Sequence, residues 1–75
     1  MDHSLFMIGI RLPTLGESEA ERRARELFNE GVRNYEDGNF PLAIQKWKEA
    51  VSWNVKMTEA FHNLHVLLHQ MEDEG

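Results

Sequence analysis

The sequence contains no cysteine, so it offers neither a disulfide nor a thiolate ligand for a metal. This composition suits a reducing compartment, and we expect a cytoplasmic protein. Basic residues are also few, since 8 Lys and Arg stand against 13 Asp and Glu, for a formal net charge of −5. A nucleic-acid binder must neutralise phosphates with a basic face, so we do not expect nucleic acid as a partner.

Long apolar runs are missing too. The run from Leu5 to Ile10 is too short to cross a bilayer, and Asp2 precedes it where a secretory signal has basic residues. We therefore predict no membrane span. The serines and threonines stand in no nucleophile–base pattern with histidine, and the glycines form no phosphate-binding loop. We expect no enzyme and no cofactor.

The 75 residues suffice for one small domain, and the composition changes near residue 16. Residues 1–16 are largely apolar until Pro13 and Gly16 break the run. We predict a flexible or loosely docked N-terminal segment there, and a helical domain over residues 17–73. Two interpretations of the segment stay open. It is either a tail left from a longer chain or a stretch of chain that lies on an exposed apolar face of the domain.

Helix one should begin at Ser18, which forms a capping box with Glu21. Glu19 and Arg23, and likewise Glu21 and Arg25, stand four residues apart in the order that favours helical ion pairs. Apolar residues then recur at intervals of three and four, which indicates one buried stripe: Ala24, Leu27, Phe28, Gly31, Val32 and Tyr35.

A tight turn should fold a second helix back against the first. Gly38 can adopt the positive φ that ends helix one, and Pro41 suits the first turn of helix two. Gly31 costs about 1 kcal/mol against alanine inside a helix, so it indicates a close contact between helices. Helix two is closed by Trp53 and carries apolar residues at intervals of three and four: Ala43, Ile44, Trp47, Ala50 and Val51.

Thr58 should cap a third helix that runs to about Met71. Its apolar residues cover more than one face: Ala60, Phe61, Leu64, Val66, Leu67, Leu68 and Met71. Such a helix is normally covered on more than one side, so it should pack on the hairpin and still offer surface to another molecule. The predicted fold is all-α, an antiparallel helical hairpin followed by a third helix.

This pattern resembles a known family. The matching residues are a large residue and a glycine on helix one, a turn, and small and aromatic residues on helix two: Leu27, Gly31, Gly38-Asn39-Phe40, Ala43, Trp47 and Ala50. The pattern returns after 34 residues, from Leu27 to Phe61 and from Gly31 to His65. Residues 24–71 thus resemble one tetratricopeptide repeat and the first helix of the next. The resemblance implies a scaffold for protein–protein interaction.

The match has departures from the family pattern. Glu30 stands where leucine is usual, Asn34 where an aromatic residue or leucine is usual, and Val55 where proline is usual. His65 replaces the second glycine, and its bulk would wedge a following hairpin apart, so the sequence indicates an array that stops at three helices. The microtubule-interacting-and-trafficking domain is a rival three-helix family, but helix three lacks its basic residues.

In the repeat family, peptides bind a concave face lined by first helices. Carried onto this sequence, the resemblance implies a groove that prefers an apolar segment or helix, formed by Phe28, Val32, Tyr35, Glu59, His62, Val66 and His69. The lysine and asparagine clamp of the chaperone-binding members is absent, because Phe28 and Val32 take its places on helix one. An alternative stays open, in which much of this stripe is simply core.

Three histidines follow one edge of helix three: His62, His65 and His69. Histidines one turn apart can share a metal, but the zinc-protease motif needs a glutamate where this sequence has Val66. We therefore predict no metal site and keep the histidines as candidates for an adventitious metal or for a pH-sensitive surface.

The sequence supports three hypotheses for function. The first is a protein-interaction module that docks an apolar peptide or helix, or self-associates as a homo-oligomer, because one and a half repeats cannot cover their own apolar faces. The second is a metal-binding or pH-sensing helix built on the histidines. The third is a structural cap or fragment of a longer helical repeat protein.

Overall fold

The computed structural model describes residues 9–74, and within them it confirms an all-α fold. The three helices are α1 (Glu19–Glu36), α2 (Phe40–Trp53) and α3 (Thr58–Glu74). A short turn joins α1 to α2, which pack closely as antiparallel neighbours. α3 packs on α2 and has few contacts with α1. Of the predicted N-terminal segment, residues 1–8 lie outside the described residues, and residues 9–16 form no helix or strand.

The start of α1 follows the predicted capping box. The hydroxyl of Ser18 accepts the Glu21 N–H at 3.1 Å, and the Glu21 carboxylate accepts the Ser18 N–H at 2.7 Å. Because this carboxylate folds back onto Ser18, the predicted pair of Glu21 with Arg25 is wrong, and Arg25 instead binds Glu17 at 2.9 Å. The predicted pair of Glu19 with Arg23 is confirmed at 3.2 Å.

The turn between α1 and α2 is closed by backbone hydrogen bonds. Gly38 has a φ of +82°, and its N–H donates to the Tyr35 carbonyl at 3.0 Å. The next N–H, of Asn39, donates to the Asn34 carbonyl at 2.8 Å. These two bonds form a Schellman motif, in which glycine supplies the left-handed residue. Pro41 then lies in the first turn of α2, as its missing N–H allows.

The core is built around Trp47, whose side chain is fully buried. Its indole N–H donates to the backbone carbonyl of Phe28 at 3.1 Å. A Cβ atom on Gly31 would lie 2.3 Å from the indole nitrogen, so the close helix–helix contact predicted there is confirmed. The other core residues come from all three helices and from the link before α3: Ala24, Phe28, Val32, Ala43, Ala50, Met57, Ala60 and Leu67.

The third helix differs from the prediction at both ends. The N–H groups of Ala60 and Phe61 donate to the Met57 carbonyl. Met57 therefore occupies the N-cap position, and Thr58 is the first residue of the helix. The predicted cap at Thr58 is therefore wrong by one position. The helix also continues past Met71 to Glu74, although its acidic last turn is unfavourable at the negative end of the helix dipole.

Candidate functional site

Three apolar residues of the predicted groove are core residues. Phe28 is 0%, Val32 5% and Val66 6% exposed, and the Phe28 ring lies 6.4 Å from the Trp47 ring between centroids. Their predicted exposure to a ligand is thus corrected. The physical reason is size, because a unit of three short helices needs its apolar stripes to fill its own core.

The other four predicted groove residues lie in different environments. Tyr35 is half-buried, with its ring 5.3 Å from Phe40 and 6.3 Å from Trp47. Glu59 is largely covered and pairs with Arg11. His62 and His69 are exposed on α3. The structure therefore brings no continuous apolar groove together from the predicted set, and binding by these four residues stays a prediction.

The histidines of α3 form one exposed edge. The rings of His65 and His69 stack almost in parallel, with centroids 6.3 Å apart, and His62 lies one turn earlier on the same edge. Among residues 9–74, no group of three side chains of the kinds that bind metals lies close enough together to hold an ion.

A polar contact outside the predicted set joins the N-terminal segment to two helices. The backbone N–H of Arg11 donates to the side-chain oxygen of Asn29 at 2.8 Å, and the Asn29 amide donates back to the Arg11 carbonyl at 2.9 Å. The guanidinium of Arg11 also forms an ion pair with Glu59 on α3. Arg11 therefore links α1 to α3, two helices that otherwise have few contacts.

Sequence reasoning missed Asn29, although a signal was present. Asn29 interrupts the apolar stripe of α1 between Phe28 and Val32, and Asn63 stands 34 residues later. Both asparagines are buried. A buried polar side chain must find hydrogen-bonding partners, so an asparagine that recurs at the repeat spacing within an apolar stripe indicates a bound polar group.

One face of α3 is apolar and open to solvent. Ala60 and Leu67 pack into the core, whereas Phe61, Leu68 and Met71 are exposed. The exposed three residues stand at intervals of seven and three, which places them on one side of the helix. The half-buried Leu64 lies between them. No part of residues 9–74 covers this face as α2 covers α1.

A polar pocket of about 230 Å³ lies beside the N-terminal segment. Its walls carry three basic and three acidic side chains: Arg11, Arg25, Lys56, Glu17, Glu21 and Glu59. Several of these charges already pair with each other, as Arg25 does with Glu17 and Arg11 with Glu59. The pocket thus has no excess of one sign that would select an anion or a cation.

Comparison with protein-family models, with curated proteins and with solved structures found no significant match for this chain. The tetratricopeptide resemblance therefore depends on the residue spacing and on the packing described above. None of the helices within residues 9–74 has both the length and the apolar character needed to cross a membrane.

Proposed function

We propose that this protein is a protein-interaction module of the tetratricopeptide type, working in the cytoplasm and without catalytic activity. The observation that carries the proposal is the open apolar face of α3, formed by Phe61, Leu68 and Met71. Exposed apolar surface of this kind marks an interaction site in a small soluble domain. The occupant we propose is an apolar helix, from a partner protein or from a second copy of this chain.

The packing of the hairpin supports the repeat assignment. Gly31 lets Trp47 approach the α1 backbone, and the equivalent residue on α3, 34 positions later, is the exposed His65. In a stacked array each repeat covers the apolar face of its neighbour. We propose that α3 is the first helix of a second repeat, and its apolar face is uncovered in the described chain.

Sedimentation equilibrium over a concentration series tests self-association. We expect the wild-type chain to form dimers or larger species, and Leu68→Glu to be monomeric, because a charge at the centre of an apolar interface is not solvated. Gln45→Glu, which adds the same charge at an exposed position of α2, should behave as the wild type. A wild-type chain that is monomeric at all concentrations would rule out the second copy as occupant.

A peptide with the sequence of residues 39–53 and alanine in place of Trp47 tests the partner-helix version. α2 is the helix that covers the corresponding face of α1, and the alanine leaves room for His65, which stands where α1 has Gly31. NMR titration should shift the signals of Phe61 and Leu68 and leave those of Gln45 unchanged. A monomeric chain that also fails to bind this peptide contradicts the proposed function.

The histidine hypothesis has its own test. Zinc titration at neutral pH, followed through the imidazole NMR signals of His65 and His69, would detect a metal-binding helix. Unchanged signals at micromolar zinc would remove that alternative.

A further inference from the structure

We propose that Asn29 and Glu59 form a binding site for an extended peptide segment that carries an arginine. Residues 9–12 of this chain occupy the site in cis, and they exchange with such a segment from a partner protein. This site differs from the apolar face of α3 and is independent of the function proposed above.

The first part of the site recognises backbone. The oxygen of the Asn29 side chain accepts the Arg11 N–H, and the Asn29 amide nitrogen donates to the Arg11 carbonyl. Both polar groups of the asparagine thus bind the backbone of a single residue. The N–H and carbonyl of one residue point to the same side only in an extended backbone, as in a hydrogen-bonded pair of antiparallel strands. Any extended residue except proline can make these two bonds, so they supply binding without sequence preference.

The second part of the site recognises the arginine. The Glu59 side chain is only 13% exposed, and its carboxylate pairs with the Arg11 guanidinium. A guanidinium is a planar, permanently charged group with several N–H donors, and it suits a carboxylate better than the point charge of lysine does. Because Asn29 and Glu59 bind the backbone and the side chain of the same residue, the site selects a peptide whose arginine is the residue bound by the asparagine.

The segment that fills the site is held by polar contacts and little packing. Leu12 is 76% exposed, Leu15 is fully exposed, and Ile10 is also exposed, so the apolar side chains around Arg11 are not buried in the core. Segments with few buried apolar contacts open locally at low free-energy cost.

Release of residues 9–12 removes the hydrogen-bonding partners of Asn29 and Glu59. Asn29 is 8% exposed with the segment in place, and an incoming backbone restores the two hydrogen bonds that its amide loses on release. The same holds for the carboxylate of Glu59, whose charge is partly desolvated. The site is therefore polar, largely covered and matched to one kind of ligand.

The substitution Arg11→Pro empties the site without altering it, because it removes both the backbone N–H and the guanidinium of the cis segment. The probe is a fluorescent peptide with the sequence of residues 9–14, Gly-Ile-Arg-Leu-Pro-Thr. By fluorescence anisotropy, full-length Arg11→Pro should bind it at least about tenfold tighter than the wild-type chain, as expected for removal of a competing charged hydrogen bond. Leu15→Ala, a change at a fully exposed residue outside residues 9–12, should bind as the wild type does.

Two further variants assign the contacts. In the Arg11→Pro protein, Glu59→Gln should weaken binding by about tenfold, and so should alanine in place of the peptide's arginine. Proline at that peptide position should abolish binding. Circular dichroism should give the same helicity for all these proteins.

Several results would overturn the proposal. The first is that a helical Arg11→Pro chain does not bind the peptide. The second is that the arginine and alanine peptides bind equally well. The third is a loss of helicity in Arg11→Pro, which would make the segment a fixed part of the fold. Dimers that Arg11→Pro dissociates and Leu68→Glu does not would instead assign the site to the same segment of a second copy.

Discussion

At Gly31, the packing of α1 on α2 leaves no room for one methyl group. A Cβ atom there would lie 2.3 and 2.4 Å from two atoms of the buried Trp47 indole. We expect Gly31→Ala to lower the free energy of unfolding by about 1–3 kcal/mol through overpacking, although alanine favours a helix by about 1 kcal/mol. Urea unfolding followed by circular dichroism measures the difference.

His65 provides the matched control, because it stands 34 residues after Gly31 and is exposed. His65→Ala should change stability by less than about 0.5 kcal/mol. In a Trp47→Phe background, Gly31→Ala should cost less than in the wild type, since the smaller ring makes room for the methyl group. Equal costs in both backgrounds would show that the indole is not the cause.

Glutamate substitutions at two phenylalanines distinguish a residue that the fold requires from a residue on its surface. Phe28 is fully buried and Phe61 is about half exposed. Phe28→Glu should abolish folding, because truncation alone of a buried phenylalanine costs about 3–5 kcal/mol and the carboxylate adds an unpaired buried charge. Phe61→Glu should keep its helicity. Thermal unfolding of the two variants by circular dichroism checks this, and a folded Phe28→Glu protein would contradict the assignment of Phe28 to the core.

At the scale of the element, the N-terminus of α1 is sensitive to pH through Glu17. The hydrogen bond from Arg25 is the main factor that lowers the pKa of Glu17, against partial burial, which raises it. A carboxylate whose folded pKa is lowered stabilises the fold above its ordinary pKa of about 4.3, and this stabilisation is lost as the pH falls through the lowered value. Glu17→Gln should therefore be less stable than the wild type at neutral pH.

The difference between Glu17→Gln and the wild type should vanish as the pH falls below the lowered pKa of Glu17, where both side chains are neutral. Urea unfolding at neutral and acidic pH measures it. Glu36→Gln is the control, because it removes the same charge from the other end of α1, where residues 9–74 provide no ion pair for it. A difference that persists at acidic pH would mean that Glu17 acts through packing rather than charge.

The helices of the hairpin could be predicted from the sequence because their signals are local. The capping box of Ser18 and Glu21 and the glycine turn at Gly38 each involve residues a few positions apart. The site at Arg11 could not be predicted in this way. Its partners Asn29 and Glu59 lie 18 and 48 positions away, and only the packed helices bring them together.

The groove prediction failed in part for a related reason. Periodicity shows that Phe28 and Val32 share a stripe on the helix, but it does not say which neighbour covers that stripe. In this fold α2 and Trp47 cover it. The open apolar surface lies instead on α3, whose apolar residues on more than one face did indicate an uncovered side.

At the scale of the whole molecule, the repeat assignment predicts how the chain can be extended. α3 has an open apolar face that corresponds to the face of α1 covered by α2. At the 34-residue spacing of the repeat, residue 71 corresponds to Asp37. A chain of residues 1–70 followed by residues 37–53 should therefore add a helix of about α2's 14 residues, but only with His65→Gly. The glycine gives the appended tryptophan the room that Gly31 gives Trp47.

The extended His65→Gly chain should show a larger helical signal per molecule. It should also be more stable, by up to about 1.5–3 kcal/mol from burial of one large apolar side chain, less the conformational entropy of the ordered helix. Circular dichroism and urea unfolding compare it with the extended chain that keeps His65, in which the imidazole occupies the tryptophan's place and the added helix should not pack. If the two extended chains unfold alike, α3 is not the first helix of a second repeat, and its apolar face must be covered in another way.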